Sequence, residues 1–168
     1  MHGEAVGTCP YHAVVLGIGN ILLSDDGIGV HVANAIRHVQ NPAPDDISLT
    51  IRDGGTIGLS LLAEIDPDSG LVAVDAMEMG APPGSVRVFV GPDMDRQLEG
   101  TKKTAHEVAL ADLIQAARLA GCAPRHRALV AVQPASTEWG LEPTPAVNAA
   151  IPEAVRCVLA AIGDWAHE

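Results

Sequence analysis

The sequence predicts an α/β fold, a three-layer α/β/α sandwich around a mostly parallel sheet of about five strands, one of which can run antiparallel. Three observations predict it. Short, nearly continuous aliphatic runs at 12–17, 71–74 and 128–132 suit strands buried on both faces. Stretches of helical periodicity separate such runs, as in β-α-β units. The composition is 48% hydrophobic but only 2% aromatic, so the core has to be built from Ala, Val, Leu and Ile. With 168 residues the chain can bury one proper core, and a single domain over 1–168 is expected, with 1–11 flexible.

The first strand, 12–17, runs into the turn Gly17-Ile18-Gly19-Asn20. From Gly27 onward Ile28, Val32, Ile36 and Val39 recur at helical spacing, and Ser24, Asp25 and Asp26 are available to cap that helix. Residues 41–46, with two prolines and two aspartates, read as a loop, and 47–51 as a second strand that Asp53-Gly54-Gly55 ends. A second helix is expected over 56–65, with Leu59, Leu62 and Ile65 on one side and Pro67 beyond it. The third strand, 71–74, ends at Asp75.

Pro82-Pro83-Gly84 turns the chain into a fourth strand over 85–90, placed antiparallel at an edge. The charged stretch 91–104 reads as a surface loop whose length suggests a functional flap. A third helix follows over 105–120, stopped by Gly121, and the last strand, 128–132, closes on Gln133-Pro134. The final amphipathic helix is expected over 146–162, with Pro152 comfortable only if the true start lies near Ile151.

A net charge of −11 repels a polyanion, which argues against nucleic acid. Cys9, Cys122 and Cys157 are odd in number and lack Cys-x-x-Cys spacing, so they read as reduced thiols buried as small apolar side chains. No secretory signal and no run of roughly 18 apolar residues is present, so a cytoplasmic monomer without a membrane partner is expected.

Asp26, Asp53 and Asp75 each follow a strand, and in open α/β sheets ligands gather beyond the carboxyl ends of the strands. His106, opening the third helix, is delivered to the same rim. Carboxylates crowded this way cost free energy unless they share a cation or a proton. Asp26, Asp75 and His106 therefore make a candidate divalent-metal ligand set with open coordination positions. Plain helix capping accounts for Asp25, and a turn hydrogen bonder is the simpler reading of Asp53. His2, His12, His31, His38, His126 and His167 adjoin no strand-end acid and read as structural. A Rossmann-like nucleotide site competes, because Gly17-x-Gly19 follows a strand. It is disfavoured by Leu22 at the third glycine position and by Asp25 and Asp26, whose charge repels a pyrophosphate.

These residues also carry a family resemblance. The stretch Leu16-Gly-Ile-Gly-Asn-Ile-Leu-Leu-Ser-Asp-Asp-Gly-Ile-Gly-Val30, with Asp53-Gly-Gly-Thr-Ile-Gly58, Val74-Asp-Ala76, Pro83-Gly84, His106 and Gln133-Pro134, resembles the hydrogenase maturation proteases. The resemblance implies an endopeptidase that trims the C-terminal extension from an immature nickel–iron hydrogenase large subunit. It implies nickel ligation by Asp26, where many of the family have Glu, by Asp75 and by His106. The nickel would already be installed in the precursor, so the free protease need not hold it tightly. Asp53 would assist the reaction or shape the rim, and Thr137-Glu138-Trp139-Gly140 with Glu142-Pro143-Thr144 would line the cleft for the substrate tail. Hydrolysis would proceed by a carboxylate or a metal-polarised water attacking the scissile carbonyl. A non-enzymatic nickel-sensing module using the same residues is the alternative.

Overall fold

A computed structural model describes residues 9–54, 59–100 and 104–168. The chain forms strands β1 (Tyr11–Gly17), β2 (Ile47–Asp53), β3 (Gly70–Ala76), β4 (Val86–Val90) and β5 (His126–Val132). Its α-helices are α1 (Ile28–His38), α2 (Pro92–Glu99), α3 (Ala105–Ala120), α4 (Pro145–Asn148) and α5 (Ile151–Ala166). The sheet order is β2-β1-β3-β5-β4, all neighbours parallel except the β4–β5 edge pair. The edge placement expected for β4 is thus found.

Period-two alternation along the strands divides the core in two. Ala13, Val15, Val72, Val74, Val130 and Val132 face one side, where α1 and α5 cover them. Val14, Leu16, Leu71, Ala73, Leu129 and Ala131 face the other, under α2 and α3. Both faces of β3 are buried from end to end, which is why its sequence reads as an unbroken apolar run. The stretch Pro145–Ala166 has the length and apolarity of a membrane span, but Val147, Ala154, Val158 and Ile162 spend its apolar face on the sheet.

Four expectations are corrected. The charged stretch after Gly91 is not a loop over its described part: it forms α2, with Pro92 in the first turn and Met94 and Leu98, one helical turn apart, buried against α3. Residues 101–103 lie outside the described residues. The helix expected over 56–65 is, where described, only a 3-10 helix, Leu59–Ala63, that buries Leu61 alone; residues 55–58 lie outside. The last helix is divided, because Pro152 supplies no N–H and is accommodated in the first turn of a fresh helix, α5. The cysteines are free but none is a core residue: Cys9 is exposed before β1, Cys122 lies just past α3, and Cys157 is on the half-buried flank of α5. The expected flexibility of 1–11 falls largely on residues 1–8, outside the described residues.

An ion cluster holds α2 in place. Asp95 accepts bonds from Arg127 of β5, Nε at 3.0 Å and Nη2 at 2.6 Å, and from Arg118 of α3 at 2.6 Å. The Arg127 guanidinium, seconded by Arg118, holds the Asp95 carboxyl below the usual carboxylate range against the opposing effect of burial. A group with a depressed folded pKa contributes stability above its unfolded value, about 3.9, and loses it as the pH falls through the folded one. Asp95→Asn should therefore cost about 1.5–3 kcal/mol at pH 7. In urea melts at successively lower pH, the gap to the wild type should narrow below about pH 4.

Candidate active site

The strand order reverses between β1 and β3: from β1 the chain goes outward to β2, then crosses back to β3 on the other side. This switch point is where open α/β sheets receive ligands. The turn that leaves β1 reaches it by backbone packing that only glycine permits. Gly19 has φ +132°, and a Cβ there would fall 1.9 Å from the Asp26 carbonyl oxygen. A Cβ on Gly29 would fall 2.1 Å from the carbonyl oxygen of Val74. The glycines thus let the start of α1 lie against β1 and β3, a use unrelated to phosphate.

The 3-10 turn Ser24–Gly27 carries both acids of this loop. The Asp26 carboxylate accepts a bond from the Asn20 backbone N–H on Oδ2, at 3.0 Å, and turns Oδ1 toward His106. Asp75 lies on β3 in register with Leu71 and Ala73, on the face covered by α3. His106 occupies the first turn of α3, where Thr104 caps the helix and Glu107 completes a capping box. The His106 Nδ1 is 3.9 Å from Asp26 Oδ1 and 3.7 Å from Asp75 Oδ1. The structure therefore brings together the three residues singled out from the sequence.

Those separations are too long for hydrogen bonds. They leave the three side chains facing one another across a gap. Asp75 Oδ1 is buried without a hydrogen-bond partner; His31 Nε2 is the other such atom among the described residues. Two carboxylate oxygens and an imidazole nitrogen, one of the oxygens otherwise orphaned, fit a borderline divalent cation such as nickel. Among the described residues no group of three or more His, Cys, Asp or Glu is assembled tightly enough to hold an ion as it stands. Burial pushes the Asp75 carboxyl up to about 6, against the pull of the His106 imidazole, and the charge of Asp26 adds to the rise. His106 is raised in turn, by Asp75 first, against its own burial, and then by Asp26.

Beside the three residues opens a cleft of about 290 Å³ lined by Gly19, Asn20, Ile21, Val30, Asp53 and His106. Asp53, paired in register with Gly17 at the end of β2, thus reaches the rim but stands on the cleft's outer wall. The segment 137–144 does not line the cleft. It runs alongside it, with Leu23 and Gly140 paired as in a parallel ladder.

Asp25 does not cap α1. It is fully buried, and its carboxylate accepts bonds from the backbone N–H groups of Ala135 (2.8 Å), Ser136 (3.0 Å) and Thr144 (2.6 Å) and from the Thr144 hydroxyl. Burial opposes its charge, but these donors outweigh it and hold the carboxyl below the usual range. Capping was the local reading, and no signal in the sequence links position 25 to one about 120 residues away. Gln133 was also missed as a functional residue, though the resemblance includes it. It is buried; its Oε1 accepts from Met79 N at 2.7 Å and its Nε2 donates to Glu78 at 2.7 Å, which fixes the loop just past Asp75.

Fold and site together define an open-sheet α/β protein with an acid–imidazole centre at its switch point. The chain belongs to the hydrogenase maturation protease family, whose HycI sequence model matches residues 30–161, a span that includes Asp53, Asp75 and His106 and begins just past Asp26. It is 36% identical over 150 residues to the hydrogenase 2 maturation protease of Escherichia coli K12, covering 89% of each chain. It is 33% identical over 153 residues to the hydrogenase expression/formation protein HupD of Bradyrhizobium diazoefficiens, covering 90% of this chain and 78% of HupD. The solved structure of the hydrogenase maturating endopeptidase HybD from E. coli superposes with a TM-score of 0.79 at 33% identity, over 92% of this chain and 93% of HybD.

Replacing Asp25 with Ala strands several donors at once. It should lower stability by about 2–4 kcal/mol, from orphaned donors worth about 1–3 kcal/mol each and partly rescued by water. Urea denaturation checks this; a loss below 0.5 kcal/mol would show that the carboxylate is not what ties the two loops together.

Proposed function

We propose that this chain is an endopeptidase that removes the C-terminal extension of a nickel–iron hydrogenase large-subunit precursor after nickel insertion, acting in the cytoplasm. Family membership supports the peptidase activity and the client. The observation that supports nickel sensing is the convergence of Asp26 Oδ1, Asp75 Oδ1 and His106 Nδ1 within 3.9 Å of the imidazole nitrogen. On this reading the nickel is part of the substrate: it arrives in the precursor and draws in three side chains that face one another without yet forming a closed site.

The residues of this chain then do the following. Asp26 and Asp75 offer one oxygen each to the incoming ion, and their mutual repulsion is relieved as it enters. His106 would offer its ring nitrogen in the neutral form, although the two acids raise its affinity for a proton. Nickel held by Asp26, Asp75 and His106 would supply Lewis-acid polarisation at the scissile bond. Asp53, on the cleft wall, is placed to orient the attacking group.

The test is a processing assay: purified protein is incubated with nickel-loaded and with nickel-free precursor, and the shortened subunit is sought by mass spectrometry. Only the loaded form should be cut. Asp26→Ala, Asp75→Ala and His106→Ala should each lower kcat/KM by about 100-fold or more, since even groups one shell further from a metal are worth 10–100-fold. Equal cutting of both forms would end the nickel-sensing reading, and normal cutting by all three variants would end the site assignment.

A further inference from the structure

Several of the exposed large apolar side chains lie beside the candidate site. Trp139 is 81% exposed, Leu141 67%, Ile21 45% and Leu22 41%. The loops that carry them are stitched together, which sets them side by side in sequence register. Gly140 N–H donates to the Leu22 carbonyl at 3.0 Å, Ser24 N–H donates to the Gly140 carbonyl at 2.8 Å, and the Ser24 hydroxyl donates to the Glu138 carbonyl at 2.9 Å. With Leu23 opposite Gly140, Leu22 falls opposite Trp139 and Ser24 opposite Leu141. Ser24 takes φ +50° to make these bonds, a conformation non-glycine residues avoid. Asp25, next in sequence, clamps the same two loops from beneath through Ala135, Ser136 and Thr144.

Water-exposed tryptophan and leucine side chains on a backbone this firmly fixed are the features of a binding surface. Two further observations say what covers it. Ile21 belongs both to the patch and to the wall of the cleft that holds His106 and Asp53, so a chain lying on the patch runs on into the site. The patch is also flanked by exposed Glu138 and Glu142, on a protein of net charge −11. Charge complementarity therefore calls for a basic partner rather than a second copy of this acidic chain.

We infer that the Ile21–Leu22 and Trp139–Leu141 shelf docks a segment of the precursor large subunit beside the bond to be cut, a segment with large apolar side chains flanked by lysine or arginine. The inference rests on the proposed function and names the surface that selects the client. The shelf acts in binding and takes no part in bond cleavage, so its loss shows in KM.

The experiment uses nickel-loaded precursor and the double variant Trp139→Ser/Leu141→Ser, both side chains being exposed and outside the core. KM for processing should rise about 10-fold or more with kcat within twofold of the wild type. Added salt should raise the wild-type KM, and Glu138→Gln/Glu142→Gln should blunt that dependence. Indole emission should shift to the blue when precursor is added, and the shift should vanish in Trp139→Phe. An unchanged KM in the double variant, with normal cutting, would overturn the docking surface and leave the proposed function intact. An emission shift without any cutting by the wild type would do the reverse. Sedimentation of the free wild type as a dimer that the double variant converts to monomer would also overturn it, by making a second copy the occupant.

Discussion

The site depends on one steric constraint, the near-contact of the 17–29 turn with the two central strands. Gly29 lies so close to the end of β3 that a single methyl group would collide with the Val74 carbonyl, and Gly19 is as tightly held against the Asp26 backbone. This closeness sets an acid from the first loop beside Asp75, an acid from the strand next door. Every later feature builds on that placement: His106 is delivered above the pair by α3, and Asp25, adjacent to Asp26, reaches the other way to anchor 135–144. Adjacent acids in sequence thus serve opposite ends, one facing the cleft and one fixing the loop behind it.

Electrostatics makes positive charge favourable at this site. Asp75 is buried near the end of the central strand, where ionisation is costly, and its carboxyl is raised to about 6. Its free oxygen gains little from the protein and much from a positive charge placed before it. The imidazole compensates in part when protonated, and a divalent ion would do so more fully. On the proposed function, side chains poised but not closed are suited to testing a substrate for its metal.

Legibility followed the length scale of the signal. Strands buried on both faces, the helix at Ala105–Ala120 with its Gly121 stop, and the positions of Asp53 and Asp75 near the ends of β2 and β3 are encoded within a few residues of themselves, and they were readable. The helix α2 was not, because its surface is charged and only Met94 and Leu98 turn inward. The Gly91-Pro92 start followed by Asp93 and Asp95 is a helix-start signal that charge density obscured. At 59–63 the apolar spacing is helical, but burial of one residue does not sustain more than a 3-10 helix. Asp25 was misread for the opposite reason: its partners are fixed by tertiary contact and leave no local trace.

The same division bears on specificity. The residues that converge at the switch point are set by short-range sequence rules, since strand ends and helix starts are where an open sheet exposes side chains to one rim. The exposed Trp139 and Leu141 answer to a different pressure, because neither contributes to the core and both cost solubility. A loop that keeps them exposed, pinned by a strained Ser24 and a buried carboxylate, stores folding free energy in a surface the isolated chain does not need. On the proposed function, that surface is where one client is told from another.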